Sequence, residues 1–297
     1  VLLDYVKQSF APEANIEIHN IVKNNSFELE CMVIIESGKS VSPNFYLQLY
    51  YQEYLKGASI ESIVAEMTEK YNELQNEDFS SFSMDIGNCM DKIVCRLVSY
   101  EKNSRLLKEI PYIPFLDLAI IFYCLVVENE NGIGSIRISN KIMAEWKITI
   151  KMLYQIAICN TEKLFPKVIC PLQSMLEHML ESKRKEVPEV FDSIDSYNLQ
   201  YAEAPFVLTN KKGINGAAAI LYPDCLKEIG NIAGEDLYII PSSIHELLII
   251  PDDRHILPEK LKKMVREVNA SCVVSEEVLS DMVYHYSIEK NIIEICS

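Results

Sequence analysis

The clearest pattern of hydrophobic and polar positions lies in residues 206–253, where short apolar runs alternate with turn-forming residues. In order, these runs and turns predict a strand, a glycine-containing turn, a second strand, a helix, a third strand, a tight turn and a fourth strand. Almost no residues are left over between the elements. The stretch therefore predicts a compact arrangement of hairpins and helices in the C-terminal part of the chain.

The N-terminal part of the chain, residues 1–186, shows the same mixture of strand and helix patterns. Residues 16–35 alternate around an Asn-containing turn, which is typical of a hairpin with one face in water. A helix is predicted from Ser42 and Pro43 to about residue 55, and an amphipathic helix follows Ser59. Further apolar runs predict strands at 93–100, 118–127 and 135–138, and helices at 139–146, 149–163 and 171–185.

Residues 187–204 have mixed polarity and no sustained hydrophobic period, so they are interpreted as a connection between two lobes. The first lobe, residues 1–186, is expected to be a mixed α+β lobe with an acidic beginning at residues 1–80. The second and smaller α+β lobe, residues 205–297, is expected to close with a hairpin. The predicted fold class is therefore α+β, with two lobes built of antiparallel hairpins packed with helices.

The negative net charge of the chain disfavours some classes of binding partner. The chain of 297 residues has a net charge of −15, and the segment 1–80 holds 13 Asp and Glu against 5 Lys and Arg, a net of −8. Such a field repels phosphate backbones and anionic lipid surfaces. Residues 139–160 have the proportions of a helix-turn-helix, but the second helix is apolar nearly all round and lacks a polar face to read bases. We therefore expect neither nucleic acid nor membrane as a partner.

Cysteine usage indicates the compartment. The nine cysteines are scattered through apolar runs, and no pair has CxxC spacing. An odd number of scattered cysteines is typical of free thiols in a reducing compartment, which predicts a cytoplasmic protein. A zinc site needs clustered ligands, so neither a metal nor another cofactor is predicted.

The first candidate catalytic site consists of Ser242, Ser243, His245 and Glu246. A His can activate a hydroxyl and a carboxylate can orient the His, which is the logic of a hydrolase. Against this, neighbours on a strand face opposite ways, and the GxSxG elbow that exposes a nucleophile is missing. Serines at a hairpin turn explain the same residues without catalysis.

A candidate metal site consists of His245, Glu246, Asp252, Asp253 and His255. The run HELLI begins like the HExxH zinc helix, but Ile249 stands where the second His is needed. We therefore predict no metal site. No catalytic residue is assigned, and the region from Ser242 to His255 serves only the hydrolase alternative.

A third candidate is the loop at residues 211–219, KKGINGAAA, where Asn215 and Gly216 would let a ligand approach the backbone closely. The loop lacks the P-loop pattern, and we expect a strand rather than a helix to follow it. A hairpin turn at Asn215 and Gly216 is the favoured interpretation, with ligand binding as the alternative.

Tyrosines mark the fourth candidate. Tyr46, Tyr50 and Tyr54 share one face of a predicted helix, with Tyr51 beside them. Each ring offers apolar area and a hydroxyl, so such a stripe can form a platform for a ligand or a peptide. Half-buried packing is the ordinary alternative.

Three stretches of the sequence resemble an uncharacterised family with a domain of unknown function from low-GC Gram-positive gut bacteria. They are YLQLYYQEYLKGASIESIVAEM, ISNKIMAEWKITIKMLYQIAICNTEKLFP, and VLTNKKGINGAAAILYPDCLKEI with DLYIIPSSIHELLIIPDD. The resemblance covers nearly the whole chain and implies a cytoplasmic bacterial protein. It implies no catalytic residue, cofactor or partner.

These observations predict a non-enzymatic interaction or regulatory protein with another protein as its partner and its oligomeric state left open. The alternative is a hydrolase that uses the region from Ser242 to His255. A third hypothesis, an acidic mimic of nucleic acid, rests on the charge of the segment 1–80.

Overall fold

The computed structural model describes residues 2–10, 13–36, 42–76, 83–129, 132–181, 205–241, 243–255 and 257–296. Antiparallel sheets pack against helices, so the predicted α+β class is confirmed. The chain divides into two compact units, Val1–Ser83 and Met84–Ser297. In the described ranges, no helix combines the length and the apolar composition needed to cross a membrane.

The described part of the first unit contains a three-stranded sheet and three helices. Its elements are α1 (Leu2–Ser9), β1 (Asn15–Val22), β2 (Glu28–Ile35), β3 (Phe45–Tyr46), α2 (Leu47–Leu55) and α3 (Ile60–Asn76). Strands β1 and β2 form the predicted hairpin, with Asn25 and Ser26 in the left-handed region at its turn. The amphipathic helix α3 begins where Ser59 Oγ accepts the Ser62 N–H at 3.1 Å, and its buried side chains Ile63, Met67 and Tyr71 face the core.

The start of α2 differs from the prediction. The helix begins at Leu47 rather than at Pro43, because Phe45 and Tyr46 pair with Met32 and Cys31 as the short strand β3. Phe45 is buried in the core of the unit, and that packing outweighs the local preference of Pro43 for a helix start. Tyr46 consequently precedes the helix and does not lie on its face.

The second unit, as far as it is described, contains two antiparallel sheets. The four-stranded sheet consists of β4 (Ile93–Ser99), β5 (Tyr112–Phe115), β6 (Leu118–Asn129) and β7 (Gly132–Arg137), and β6 pairs with each of the others. The six-stranded sheet has the order β13-β12-β10-β11-β9-β8. Its strands are β8 (Lys167–Pro171), β9 (Phe206–Asn210), β10 (Leu237–Ile240), β11 (Leu247–Pro251), β12 (Tyr284–Ser287) and β13 (Ile292–Ile295).

Six helices among the described residues accompany these sheets. They are α4 (Ile86–Cys89), α5 (Asn140–Trp146), α6 (Ile150–Leu164), α7 (Leu172–Glu181), α8 (Cys225–Ala233) and α9 (Pro258–Ser271). The predicted starts of α5 and α6 are confirmed, since Ser139 and Thr149 accept the Ile142 and Met152 N–H groups as N-caps. One buried cluster joins both sheets, and Phe122, Leu153, Leu208 and Tyr284 are among its residues.

The predicted lobe boundary at residues 187–204 does not coincide with the division into units. Strands β8 and β9 pair from Lys167 opposite Asn210 to Pro171 opposite Phe206, so residues on both sides of 187–204 share one sheet. The hydrophobic pattern does not predict β8. The residues at 182–204 themselves lie outside the described part of the chain.

The predicted strand after the glycine turn is replaced by a 3-10 helix, Gly216–Leu221. Residues 216–220 are all buried, and Ala217 and Ala219 belong to the cluster that joins the two sheets. Small side chains allow this close packing. The helix and the two strands predicted next in this stretch are confirmed as α8, β10 and β11, and β10 pairs antiparallel with β11. Residues 241–246 join these two strands, so the connection is longer than the predicted tight turn. The hairpin predicted near the end of the sequence is confirmed as β12–β13.

Candidate functional site

Several of the sequence-predicted residues meet beside the end of β9. Asn215 has a left-handed backbone with φ of 52°, and its N–H donates to Nδ1 of His245 at 3.2 Å. The Thr209 hydroxyl donates to the carbonyl oxygen of His245 at 2.8 Å. His245 is thus held at its ring and at its backbone by two separate segments.

Gly216 lies in the tightest part of this arrangement. A Cβ at that position would overlap Thr209 Oγ1 and the His245 carbonyl oxygen, and it would lie 2.8 Å from the Asn210 nitrogen. Two of these neighbours are backbone atoms, which cannot rotate away. Only glycine fits here, because the residue lies in close backbone packing and is itself buried.

His245, Ser243, Glu246 and Glu277 form a polar cluster next to it. The Ser243 hydroxyl accepts the backbone N–H of His245 at 3.0 Å, and His245 Nε2 lies 3.4 Å from Glu277 Oε1. Since Nδ1 accepts the Asn215 N–H, the neutral ring carries its proton on Nε2, where it faces Glu277. The Ser243 hydroxyl meets the backbone of His245 and not its ring, which differs from the contact that a serine nucleophile needs.

The surroundings of Glu246 change the acidity of its carboxyl group. Burial raises the pKa of Glu246, while the nearby His245 and a hydrogen bond from Ser243 work in the opposite direction. A carboxyl with a raised pKa near an imidazole is a candidate for proton transfer. The same arrangement also serves to hold the start of β11 in place.

His255 does not join the cluster. His255 is exposed, and its N–H donates to Asp253 Oδ1 at 2.8 Å in a local turn. Ser242 lies outside the described residues. Across the described ranges, no group of three or more His, Cys, Asp or Glu side chains is arranged to hold a metal ion.

The tyrosines of α2 line a pocket of about 460 Å³ in the first unit. One wall of the pocket consists of Leu47, Tyr50, Tyr51 and Tyr54, which have the i, i+3, i+4 and i+7 spacing of a single helix face. Gln48 of α2 also lines the pocket, and the lining residues from neighbouring elements are Leu2, Glu30, Ile60 and Ile63. Tyr46 is not part of the lining, and its ring instead receives the Lys23 ammonium at 3.8 Å.

The pocket tyrosines differ in exposure. Tyr50 is buried, packs against Phe45 with 6.3 Å between ring centroids, and has Lys70 5.5 Å above its ring. Burial raises the pKa of Tyr50, which keeps its phenol neutral. Tyr51 is 59% exposed and Tyr54 is 49% exposed. Tyr50 therefore forms the base of the pocket, and Tyr51 and Tyr54 present their rings to solvent.

Sequence reasoning missed one polar cluster in the second unit. Asp117, in the short turn between β5 and β6, accepts hydroxyl hydrogen bonds from Ser280 and Tyr284, each at 2.5 Å. Burial and the neighbouring Asp117 carboxylate raise the pKa of Tyr284. Both partners lie far from Asp117 along the chain, so no local pattern could have predicted the contact.

No curated protein and no solved structure matches the chain. A family model described as "Family of unknown function (DUF5688)" matches residues 1–288. The resemblance to an uncharacterised family with a domain of unknown function is thereby confirmed, and the chain belongs to the DUF5688 family.

Proposed function

We propose that the chain is a non-enzymatic interaction protein whose first unit binds a segment of a partner protein in the pocket lined by Tyr50, Tyr51 and Tyr54. The observation that carries the proposal is the exposure of large apolar side chains on α2. Tyr51 and Tyr54 are about half exposed, and Leu49 and Leu55 are 62% and 60% exposed. Tyr51, Tyr54 and Leu55 share one side of this short helix and form an apolar patch beside the pocket, which is typical of an interaction site, whereas Leu49 lies on the opposite side.

The chemistry of the pocket favours an apolar or aromatic side chain as the anchor. Tyrosines are enriched among residues that dominate binding energy, because a ring buries much area and loses little rotamer freedom. Ile60 and Ile63 on α3 form an aliphatic wall opposite the rings, and Leu2 belongs to α1. An inserted aromatic or aliphatic side chain would be enclosed by apolar surfaces from three helices.

Charge favours a basic residue next to that anchor. Glu30 lines the pocket and is exposed, and the segment 1–80 carries a net charge of −8. Complementary charge speeds association and discourages acidic partners. We therefore propose a partner segment with an aromatic or aliphatic anchor flanked by Lys or Arg.

A peptide-display selection against the immobilised full chain tests the proposal. Selected peptides should share an apolar anchor beside a basic residue, and their binding should weaken as salt rises. Tyr54→Ala should weaken binding of a selected peptide by about 2 kcal/mol, or about 30-fold, as expected for a central aromatic contact.

Tyr100→Ala is the matched control, because Tyr100 is 42% exposed but lies in the second unit. It should leave peptide binding unchanged. If a selected peptide binds the wild type and Tyr54→Ala with equal affinity, as measured by fluorescence anisotropy, the proposed site is wrong.

The hydrolase alternative has weaker support. Its best argument is the raised pKa of Glu246 beside His245, and its main difficulty is the Ser243 hydroxyl, which engages backbone. Turnover of a small ester that Ser243→Ala abolishes would favour it.

We also propose a bacterial cytoplasmic location. All nine cysteines are free thiols, and six of them are buried. This pattern suits a reducing compartment, and the bacterial origin rests on the sequence resemblance described above.

A further inference from the structure

The outer face of the four-stranded sheet carries two arginines in neighbouring register positions. On β4, Arg96 faces the same side as Val94, because side chains two residues apart share a face. Val94 pairs with Tyr123 on β6, and Tyr123 pairs with Arg137 on β7. Residues paired across antiparallel strands also share a face, so both arginines lie on the side of the sheet that carries Tyr123.

The Arg96 guanidinium lies over the ring of Tyr123. Its Cζ is 3.9 Å from the centre of the Tyr123 ring, and its Nη2 donates to Ser135 Oγ at 2.9 Å. Ser135 is two residues before Arg137 on β7 and therefore faces the same way. The Arg96 side chain thus crosses β6 and reaches the strand that carries Arg137.

Neither guanidinium pairs with a carboxylate among the described residues. An arginine has five N–H donors, and the hydrogen bond to Ser135 uses one of those on Arg96. Burial lowers the pKa of the Arg96 guanidinium, while the neighbouring Tyr123 and a hydrogen bond with it work in the opposite direction.

Two small apolar clusters border this position. One contains Val98 and Ile121 with residues of the segment at 106–110, and the other contains Val94, Leu125 and Phe165. Apolar borders lower the local dielectric, so an anion between them would interact more strongly with a guanidinium than it would in open water. Arg96, Ser135 and Arg137 are all partly exposed between these borders, so an anion can reach them.

We propose that Arg96 and Arg137, with the Ser135 hydroxyl, form a binding site for an oxyanion, either a carboxylate or a phosphate group. The planar fork of a guanidinium matches two oxygens of either group, and Ser135 can donate a further hydrogen bond. A half-buried guanidinium whose donors are mostly unused gains a counter-charge when such a group binds. The site is in the second unit and does not depend on the proposed pocket in the first.

Titration of the full chain with inorganic phosphate and, in a second arm, with acetate tests the site. Chloride at matched ionic strength controls for screening. Binding is read from the Nε–Hε resonances of arginine by NMR. We expect saturable shifts of the Arg96 and Arg137 signals with at least one of the two anions, and the stronger of the two identifies the chemical class.

Arg137→Met should weaken binding of that anion about tenfold, which corresponds to about 1.4 kcal/mol. Arg96→Lys, which keeps the charge but loses the fork, should also weaken it. Arg266→Met is the control, since Arg266 is exposed on α9, and it should have no effect. If neither anion gives a saturable shift beyond that of chloride, or if Arg266→Met weakens binding as much as Arg137→Met does, the proposal is wrong.

Discussion

Replacing Gly216 with alanine tests the close packing around His245. The added Cβ would overlap Thr209 Oγ1 and the His245 carbonyl oxygen and would lie 2.8 Å from the Asn210 nitrogen. The segments that carry His245 and Gly216 would have to separate. That movement also breaks the hydrogen bond from Thr209 to His245.

The expected loss of stability follows from these two effects. Forcing an extra carbon into a packed site costs about 1–3 kcal/mol. A broken internal hydrogen bond costs about 0.5–1.5 kcal/mol more. We therefore expect Gly216→Ala to lower the free energy of unfolding by about 2–4 kcal/mol. With a urea dependence of about 2 kcal/mol per molar, the midpoint of unfolding falls by about 1–2 M.

Fluorescence of Trp146 is the appropriate assay, because Trp146 is the only tryptophan and is buried in the same cluster as Ala217. It follows the second unit without a contribution from the first. Gly87→Ala is the matched control, since its Cβ would meet only the Asp85 side chain, at 3.2 Å, and it should change stability by less than about 1 kcal/mol.

A double variant separates the two sources of strain. Thr209→Ala removes one overlapping atom, but the backbone oxygen of His245 remains. The double variant Thr209→Ala/Gly216→Ala should therefore be much less stable than Thr209→Ala alone. If the double variant is as stable as Thr209→Ala, or if Gly216→Ala loses no more stability than Gly87→Ala, the backbone packing argument is refuted.

Two other predictions concern titratable groups. Because burial raises the pKa of Glu246 in the folded state, its ionisation opposes folding: this cost is absent below the unfolded pKa near 4.5 and grows as pH rises through the folded pKa. In urea titrations, Glu246→Gln and the wild type should have the same free energy of unfolding near pH 4, and Glu246→Gln should be the more stable of the two at pH 8. If the difference in free energy of unfolding shrinks as pH rises, the prediction is wrong. Iodoacetamide at pH 8 should label Cys159 and Cys272, which are exposed, before any other thiol. Burial raises the pKa of Cys95 to about 11 and that of Cys170 and Cys225 to about 12, so mass spectrometry should find these three unlabelled in the native protein.

The elements that could be predicted are those specified by nearby residues. The β1–β2 hairpin follows from alternation around its turn, and the starts of α5 and α6 follow from Ser139 and Thr149. Strand β8 could not be found in this way. It is a short strand between the end of α6 at Leu164 and the start of α7 at Leu172, and its partner β9 begins only at Phe206, far along the chain. Strand pairing over such a distance leaves no local pattern.

The candidate sites show the same limit. The tyrosine spacing on α2 predicts a stripe, but the pocket also needs Glu30 from β2 and Leu2 from α1. Arg96 is the one charged residue of the mostly apolar strand β4, and its role depends on Tyr123 and Arg137, which only the sheet register brings beside it. The Ala-rich run at 217–219 is ambiguous locally, and burial between two sheets decides in favour of a 3-10 helix.

The pairing of β8 with β9 has a consequence for the chain between them. Leu172 N–H donates to the Pro205 carbonyl oxygen at 2.9 Å, so both ends of residues 173–204 are anchored at one point of the sheet. A protease that cut within 182–204 would leave two fragments whose strands remain hydrogen-bonded side by side. The hydrogen bonds between β8 and β9 involve only residues outside that stretch, so they do not depend on its length.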